Sequence, residues 1–415
     1  MGTGTLVDVE LAVSRLSEVG DDVAPAGPGD HVGGVPAAVV VRPVSTEQTA
    51  QLLRVAAQLE LTVVARGAGT RLGWGAPPRR VDLLVDLTRM SAVLDHAAGD
   101  LVVVAQAGCP VATLNEAVAS AGQRLALDDA APGSTLGGSV ATNSSGPRRM
   151  RDGTLRDLMI GTTVVRADGV VAHSGGRVVK NVAGYDLGKL MTGSFGTLAV
   201  ITEAVFRLHP LPAAARTVSV PVSMQTLPAV LAALVHSDVA ATAIEVDAAG
   251  GGLTVAVLIE GTDSGVRSRA GEARDLIRAA GAEPSGDDEP PPWWGRQPWR
   301  DGDVALKLTC ALSGVPGLIA EAQRRDCDVR GSAGTGVLYG RLVGTSADRV
   351  AETVRGLRES CLRRGGSLVV LDGPAALTAG LDRWGPVSAL ALMRAVKDQF
   401  DPEHRLAPGR FVGGI

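Results

Sequence analysis

Two glycine-rich segments carry the residues best suited to chemistry: RGAGTRLGWG at 66–75 and APGSTLGGSVATNSSG at 131–146. Glycine costs conformational entropy wherever the chain is ordered, so two such runs need a reason beyond local folding. Each follows an apolar stretch that reads as a strand, LTVVA at 61–65 and LVVVAQA at 101–107. Main-chain N–H groups brought close to a large anionic ligand would supply that reason, with the amides aimed at phosphate oxygens. A dinucleotide such as FAD answers that description.

The elements that must position these loops follow from pattern. AAVVV at 37–41 is a short strand, and Ser45 starts a helix with Gln48 placed for a capping box. Leu52, Val55, Ala56 and Leu59 give that helix one apolar face, and the strand at 61–65 closes a β-α-β unit with parallel strands. A dinucleotide-binding Rossmann turn is rejected. Its third glycine would fall at Leu72, and the chain continues through Gly73, Gly75, Pro77 and Pro78 into the strand-like VDLLVDL instead of a helix. Neither loop is followed by the lysine and Ser/Thr of a Walker loop. The reading is strand–loop–strand, with phosphate held by loop amides.

Downstream, 110–121 reads as a helix, 136–143 as one or two helical turns, 159–166 and 170–173 as a hairpin, and GYDLGKLM as a short helix. GTLAVITEAVFRLHPLP is a strand closed by Pro210 and Pro212. From Arg216 a strand–helix–strand–strand–helix order occurs at 217–280 and again at 304–365, separated by the Pro-rich acidic linker 286–303. These halves predict an α+β domain of two ferredoxin-like repeats in one sheet. A helix from Ala389 leads into FDPEHRLAPGRFVGGI, which is expected to pack back on the first domain.

Composition narrows the function classes. The chain has 415 residues, enough for two or three domains, and a net charge of −4 without a basic stripe, which argues against nucleic acid. Four dispersed cysteines, Cys109, Cys310, Cys327 and Cys361, form no C-x-x-C pair, so neither an iron–sulfur nor a zinc framework is expected, and a reducing cytoplasm suits them. The six histidines lack ligand spacing. The acidic N-terminus is no signal peptide, and the weakly charged stretch 217–237 reads as a strand and helix, not a membrane span.

The order RGAGT, APGSTLGGSVATNSSG, KNVAGYDLGKLMTGSFGTLAVITE, FDPEHRLAPGR resembles the vanillyl-alcohol-oxidase-type, or PCMH-type, FAD-binding family, and within it the FAD-binding subunits of glycolate oxidase and their D-lactate dehydrogenase relatives. The resemblance is strong over 36–212 and good over 384–415. It implies an N-terminal extension at 1–35, a two-subdomain PCMH-type FAD-binding domain at 36–212, a substrate or cap domain at 213–388 and a returning C-terminal segment at 389–415. Arg66, Gly67, Ala68, Gly69, Thr70 and Arg71 would wrap the diphosphate. Pro132, Gly133, Ser134, Thr135, Gly137, Gly138, Thr142 and Asn143 would line diphosphate and flavin, with the backbone of Val200 and Ile201 and the terminal Arg410 completing the site. Arg66 or Arg71 would balance phosphate charge.

Departures from the family pattern sharpen the expectation. Thr70 stands where many relatives carry a flavin-linking histidine, so the FAD should be non-covalent. Phe195 replaces a usual glutamate and Ala407 a usual asparagine. The cap segment GSAGTGVLYGRL, 331–342, holds no His, Asp or Glu, so no catalytic base can be named. The implied protein is an FAD-dependent oxidoreductase acting on a small 2-hydroxy acid. Its partners would be a larger flavin subunit and an iron–sulfur subunit, in the cytoplasm or held peripherally at the inner membrane face. A non-catalytic relay or assembly flavoprotein, or a stand-alone oxidase of another alcohol, are the alternatives. Arg148, Arg149, Arg151 and Arg156 read as a solvated charge cluster beside Asp152 and Asp157. Trp293, Trp294 and Trp299 read equally as a docking patch or as packing under a loop; Lys180 and Tyr185 read as helix-terminal packing or substrate contact; Arg341 is a candidate for carboxylate binding.

Overall fold

The computed structural model describes residues 7–128, 131–177, 185–286, 288–344 and 346–415; Lys180 lies outside them. The first sheet runs in the order Val23–Pro25, Val35–Val41, Val81–Asp86, Val63–Arg66, with His31–Val32 paired to Val35–Val41. Both strands flanking Val81–Asp86 are parallel to it. The crossover is the helix Thr46–Gln58: the Ser45 side chain accepts from the Gln48 amide at 3.1 Å and the Gln48 side chain accepts from the Val44 amide at 2.9 Å. The predicted cap is present, with its return bond one residue earlier than the usual box. The N-terminal stretch enters this sheet, with Val23–Pro25 as its edge strand.

The second sheet is antiparallel, in the order Val171–Gly175, Met159–Val165, Val200–Arg207, Val102–Gln106, Val93–Ala97. One apolar core joins the two sheets, running from Val39, Leu53 and Leu83 through Leu114 and Leu136 to Val200 and Phe206. The first glycine loop leaves the end of Val63–Arg66. The second lies between the helix Val111–Ala119 and the helix Leu136–Thr142.

The second domain is a seven-stranded antiparallel sheet, ordered Ala214–Pro221, Thr254–Gly261, Ala243–Ala248, Cys327–Ser332, Val337–Leu342, Val304–Thr309, Leu368–Asp372. The two expected halves meet at the pairing of Ala243–Ala248 with Cys327–Ser332. Side chains alternate across a strand. Ile244, Val246, Leu306, Leu308 and Leu338 enter the core under helices such as Asp263–Ala279 and Ala347–Arg363. The alternate set, with Tyr339, Ala305 and Val369, packs with Trp74 and Phe195 of the first domain. The polar face of this sheet is therefore a domain seam and not a solvent face.

The C-terminal segment returns to the first sheet. Val63 N–H donates to Arg405 O at 2.8 Å and Ala407 N–H to Val63 O at 2.7 Å, extending the first sheet by a short parallel bridge. Lys397 and Asp401, both fully buried, pin the turn. The Lys397 ammonium donates to Thr197 O at 2.7 Å, Leu406 O at 2.9 Å and the Asp401 carboxylate at 2.6 Å.

Candidate functional site

The two glycine loops meet. A Cβ on Gly67 would overlap the Thr135 hydroxyl, and one on Gly137 would stand 2.7 Å from the Ala107 Cβ. Only glycine allows either approach. A narrow cavity of about 90 Å³ lies between the loops. It is lined by Arg66–Leu72 on one side, by Thr135, Gly137, Gly138 and Thr142 on the other, and by Phe195, Ile201 and Arg410. It shares Arg66–Gly69 and Leu72 with a wider cleft of about 1150 Å³ that reaches Asp372, Trp384 and Phe411.

The expected site residues divide in placement. Arg66 through Arg71, Thr135, Gly137, Gly138, Thr142, Ile201 and Arg410 all line the narrow cavity. Pro132 instead faces a separate cleft with Asp128, Arg148 and Trp294. Gly133 is exposed at the loop tip and Ser134 is buried beneath it. Val200 is buried and in register with Val165. Asn143 caps the helix Leu136–Thr142 in the left-handed region at φ 46°, and its buried Oδ1 has no partner among the described residues. The Thr142 hydroxyl donates to Gly138 O at 2.9 Å.

Charge is arranged unequally around the cavity. Arg66 is already neutralised: it donates to the Asp86 carboxylate at 2.7 Å and to that of Asp30 at 2.9 Å. Arg71 donates to the Ser139 hydroxyl at 3.4 Å and lies 5.5 Å over the Trp74 ring. Arg410 is buried, donating to Leu72 O at 2.9 Å and Trp74 O at 2.7 Å, with no carboxylate bonded to it and its Nε unpartnered among the described residues. Burial pushes its pKa down to about 10. A buried cation held only by carbonyls gains most from a nearby anion. The amides of Ala68, Gly69 and Thr70 donate to no group among the described residues. Free amides, an under-partnered buried guanidinium and an orphaned Asn143 oxygen together match the phosphate and polar ring edge of a flavin dinucleotide.

Around this cavity several side chains differ from the sequence reading. Phe195, at φ 56°, stacks with Trp384 at 5.1 Å and Phe411 at 5.7 Å, locking the loop to the returning C-terminus. Arg148 and Arg151 are not a solvated cluster. With Arg124 they converge on Glu260 of the second domain at 2.7–2.9 Å, and the Glu260 side chain is 1 % exposed. Burial opposes its ionisation, but the bonds from Arg124 and Arg148 outweigh this and hold its pKa near about 2. Trp299 packs between Trp74 and Tyr339, whereas Trp293 and Trp294 stack on each other. Arg341 is taken by Asp303 and Asp328. Tyr185 is exposed.

The sequence reading missed a set on the seam face of the second domain: Glu245, Lys307, Ser332 and Tyr339. Burial pushes Glu245 up to about 8 and Lys307 down to about 8, the latter helped by the like charge of Arg149. Their strands alternate apolar and polar residues, which alone reads as a wet face; the signal to follow was that both halves present such a face from one sheet.

Residues 37–175 match the family described as FAD binding domain. Glycolate oxidase subunit GlcD of Bacillus subtilis is 34 % identical over 207 residues, 46 % of this chain and 44 % of that protein. Glycolate oxidase subunit GlcE of Escherichia coli is 36 % identical over 165 residues, 39 % of this chain and 47 % of that protein. The matched part is thus less than half the length of either relative. The solved structure of p-cresol methylhydroxylase superposes with a TM-score of 0.76 over 99 % of this chain and 98 % of that one, at 14 % identity, a likeness of fold. Among the described residues no helix is long and apolar enough to cross a membrane.

Proposed function

We propose, taking residues 37–175 as an FAD binding domain, that this chain is an FAD-dependent oxidoreductase. More finely, we read it as the FAD-binding subunit of a complex that oxidises a small 2-hydroxy acid such as glycolate or D-lactate and passes electrons to an iron–sulfur partner. The observation that carries the reading is the convergence of both glycine loops and Arg410 on one narrow cavity.

FAD, when bound, supplies a two-electron acceptor for hydride. The protein's own part is to hold and orient it. The amides of Ala68–Thr70 and the Arg410 guanidinium would take the diphosphate. Gly67 and Gly137 keep the backbones close enough to do so. At about 90 Å³ the inter-loop cavity is smaller than the roughly 300–1,000 Å³ of whole-ligand pockets, so only the phosphate portion belongs between the loops and the rest extends beyond them. Thr70 offers no side chain for a covalent flavin link, and the binding is read as non-covalent.

The test is direct. The purified chain should be yellow, acid precipitation should leave the flavin in the supernatant, and anaerobic glycolate or D-lactate should bleach it. A colourless protein that takes up no added FAD contradicts the reading. A bound flavin that no 2-hydroxy acid bleaches without partner subunits would favour the electron-relay alternative, which the absence of His, Asp and Glu from 331–342 motivates.

A further inference from the structure

Past Thr142, which lines the narrow cavity, the second glycine loop runs into the second domain within eight residues. Asn143 turns the chain out of the helix Leu136–Thr142 in the left-handed region, at φ 46°. The Asn143 and Ser144 amides stay bonded to that helix, donating to Val140 O at 3.0 Å and Ser139 O at 2.9 Å. The middle of the segment is braced on Asp128. The Arg148 amide donates to that carboxylate at 2.7 Å, and a Cβ on Gly146 would stand 2.4 Å from the Asp128 Cβ. The far end is the short helix Arg149–Asp152.

Met150, on that helix, packs against the core of the other domain. A Cβ added to Gly334 would stand 2.4 Å from the Met150 Sδ and 3.3 Å from its Cε, so the thioether occupies the space over a glycine. Gly334 lies in the turn between the strands Cys327–Ser332 and Val337–Leu342, and its amide donates to Ile244 O at 3.0 Å. One glycine of the segment GSAGTG, which offers no acid or histidine, is thereby accounted for. Polar ties flank the seat. Arg151 donates to the Thr242 hydroxyl at 2.9 Å and to Glu260 at 2.9 Å, and Arg148 to Glu260 at 2.9 Å. Methionine adapts its shape to an irregular gap, and packed side chains carry coupling between sites. Here one stretch of chain lines the cavity of the first domain at one end and is seated in the second at the other.

Resting on the FAD reading above, we infer that Met150 is a positioning residue: its seat over Gly334 fixes the segment 143–152 and, through it, the Thr142–Asn143 side of the FAD cavity. The two states are Met150 seated and Met150 withdrawn. Seated, the segment is held at both ends and at Asp128 between them. Withdrawn, it keeps its polar ties to Asp128 and Glu260 and loses the apolar one, and the turn at Asn143 gains freedom. Coupling of this kind is reciprocal, so FAD between the loops tightens the seat by as much as the seat tightens FAD. Met150 does this without touching the flavin; it acts through Thr142 and Asn143.

Gly334→Ala is the test, made in the second domain and read in the first. The Gly334 backbone lies outside the left-handed region, and the next neighbour of the new Cβ, Ile244 Cβ at 3.4 Å, is an ordinary contact. The alanine therefore displaces the flexible thioether and not the sheet. Hydrogen exchange on the full chain without flavin should then quicken about tenfold at Asn143 and Ser144 and stay unchanged in the helix Val111–Ala119. Met150→Ala should do the same, and Met150→Leu, which refills the seat, should bring exchange back to within about twofold. In FAD titrations Gly334→Ala and Met150→Ala should each weaken binding about tenfold, with Met150→Leu restoring it. FAD should slow exchange of the Gly334 amide in the unaltered chain, and Met150→Ala should erase that slowing. Exchange at Asn143 and Ser144 that ignores both substitutions overturns the inference whether or not flavin binds, and so does an unchanged affinity for FAD. Exchange that responds in a chain taking up no FAD counts against the function proposed above, while the link from seat to loop stands.

Discussion

At the scale of single residues, two buried groups have opposite needs. Arg410 is a cation kept among carbonyls, and its guanidinium lies against the narrow cavity. Arg410→Met should leave the fold intact and weaken FAD by about 10–100-fold, about 1.5–3 kcal/mol for a lost charged hydrogen bond, as read by fluorescence titration. Glu245 is an acid held neutral by burial. Its folded pKa, about 8, lies above its ordinary 4.5, so the native state binds the extra proton between those values. Its contribution to stability is present at low pH and is lost as pH rises towards about 8. The melting temperature should fall across that window, and Glu245→Gln should flatten the fall; equal slopes for both proteins would contradict the assignment. Glu245 was illegible in the sequence because AIEVDA looks like a strand with one wet face. What buries it is a packing partner a hundred residues earlier, Ser145–Arg149, which no local pattern announces.

Among elements, the loops and the strands feeding them were readable, because glycine spacing and β-branched runs are local signals. The absence of a helix after the first loop was readable too, from Pro77 and Pro78, and the structure continues there into Val81–Asp86. The Arg148–Arg151 cluster was misread for the opposite reason. Its nearby acids are in plain view, while the partner that Arg148 and Arg151 share, Glu260, is over a hundred residues away. Gly67→Ala should force the two loops apart, since its Cβ overlaps Thr135, and FAD uptake should drop by at least about tenfold with unchanged circular dichroism. The helix Leu390–Phe400 makes a separate prediction. Lys397→Met leaves Asp401 charged and buried, so it should cost about 3–5 kcal/mol in urea unfolding and free the C-terminal segment that carries Arg410.

For the molecule as a whole, two domains close over one seam. Glu260, bonded to Arg124, Arg148 and Arg151, is the principal charged tie across it. Its pKa is lowered to about 2, so the tie is complete above its ordinary 4.5 and is lost as pH falls towards about 2. Limited proteolysis at about pH 3 should therefore cut between the domains earlier than at neutral pH, and Glu260→Gln should bring that cutting to neutral pH. The seam also explains why the second domain's inner face was hard to read from its amino acids: that face is defined by what it covers. FAD and riboflavin, which has the same ring and no phosphate, separate a grip on the diphosphate from a grip on the ring. If loop amides and Arg410 grip a diphosphate, FAD should bind stoichiometrically and riboflavin at least about 100-fold more weakly. Equal affinity for the two, or no binding of either, would contradict it.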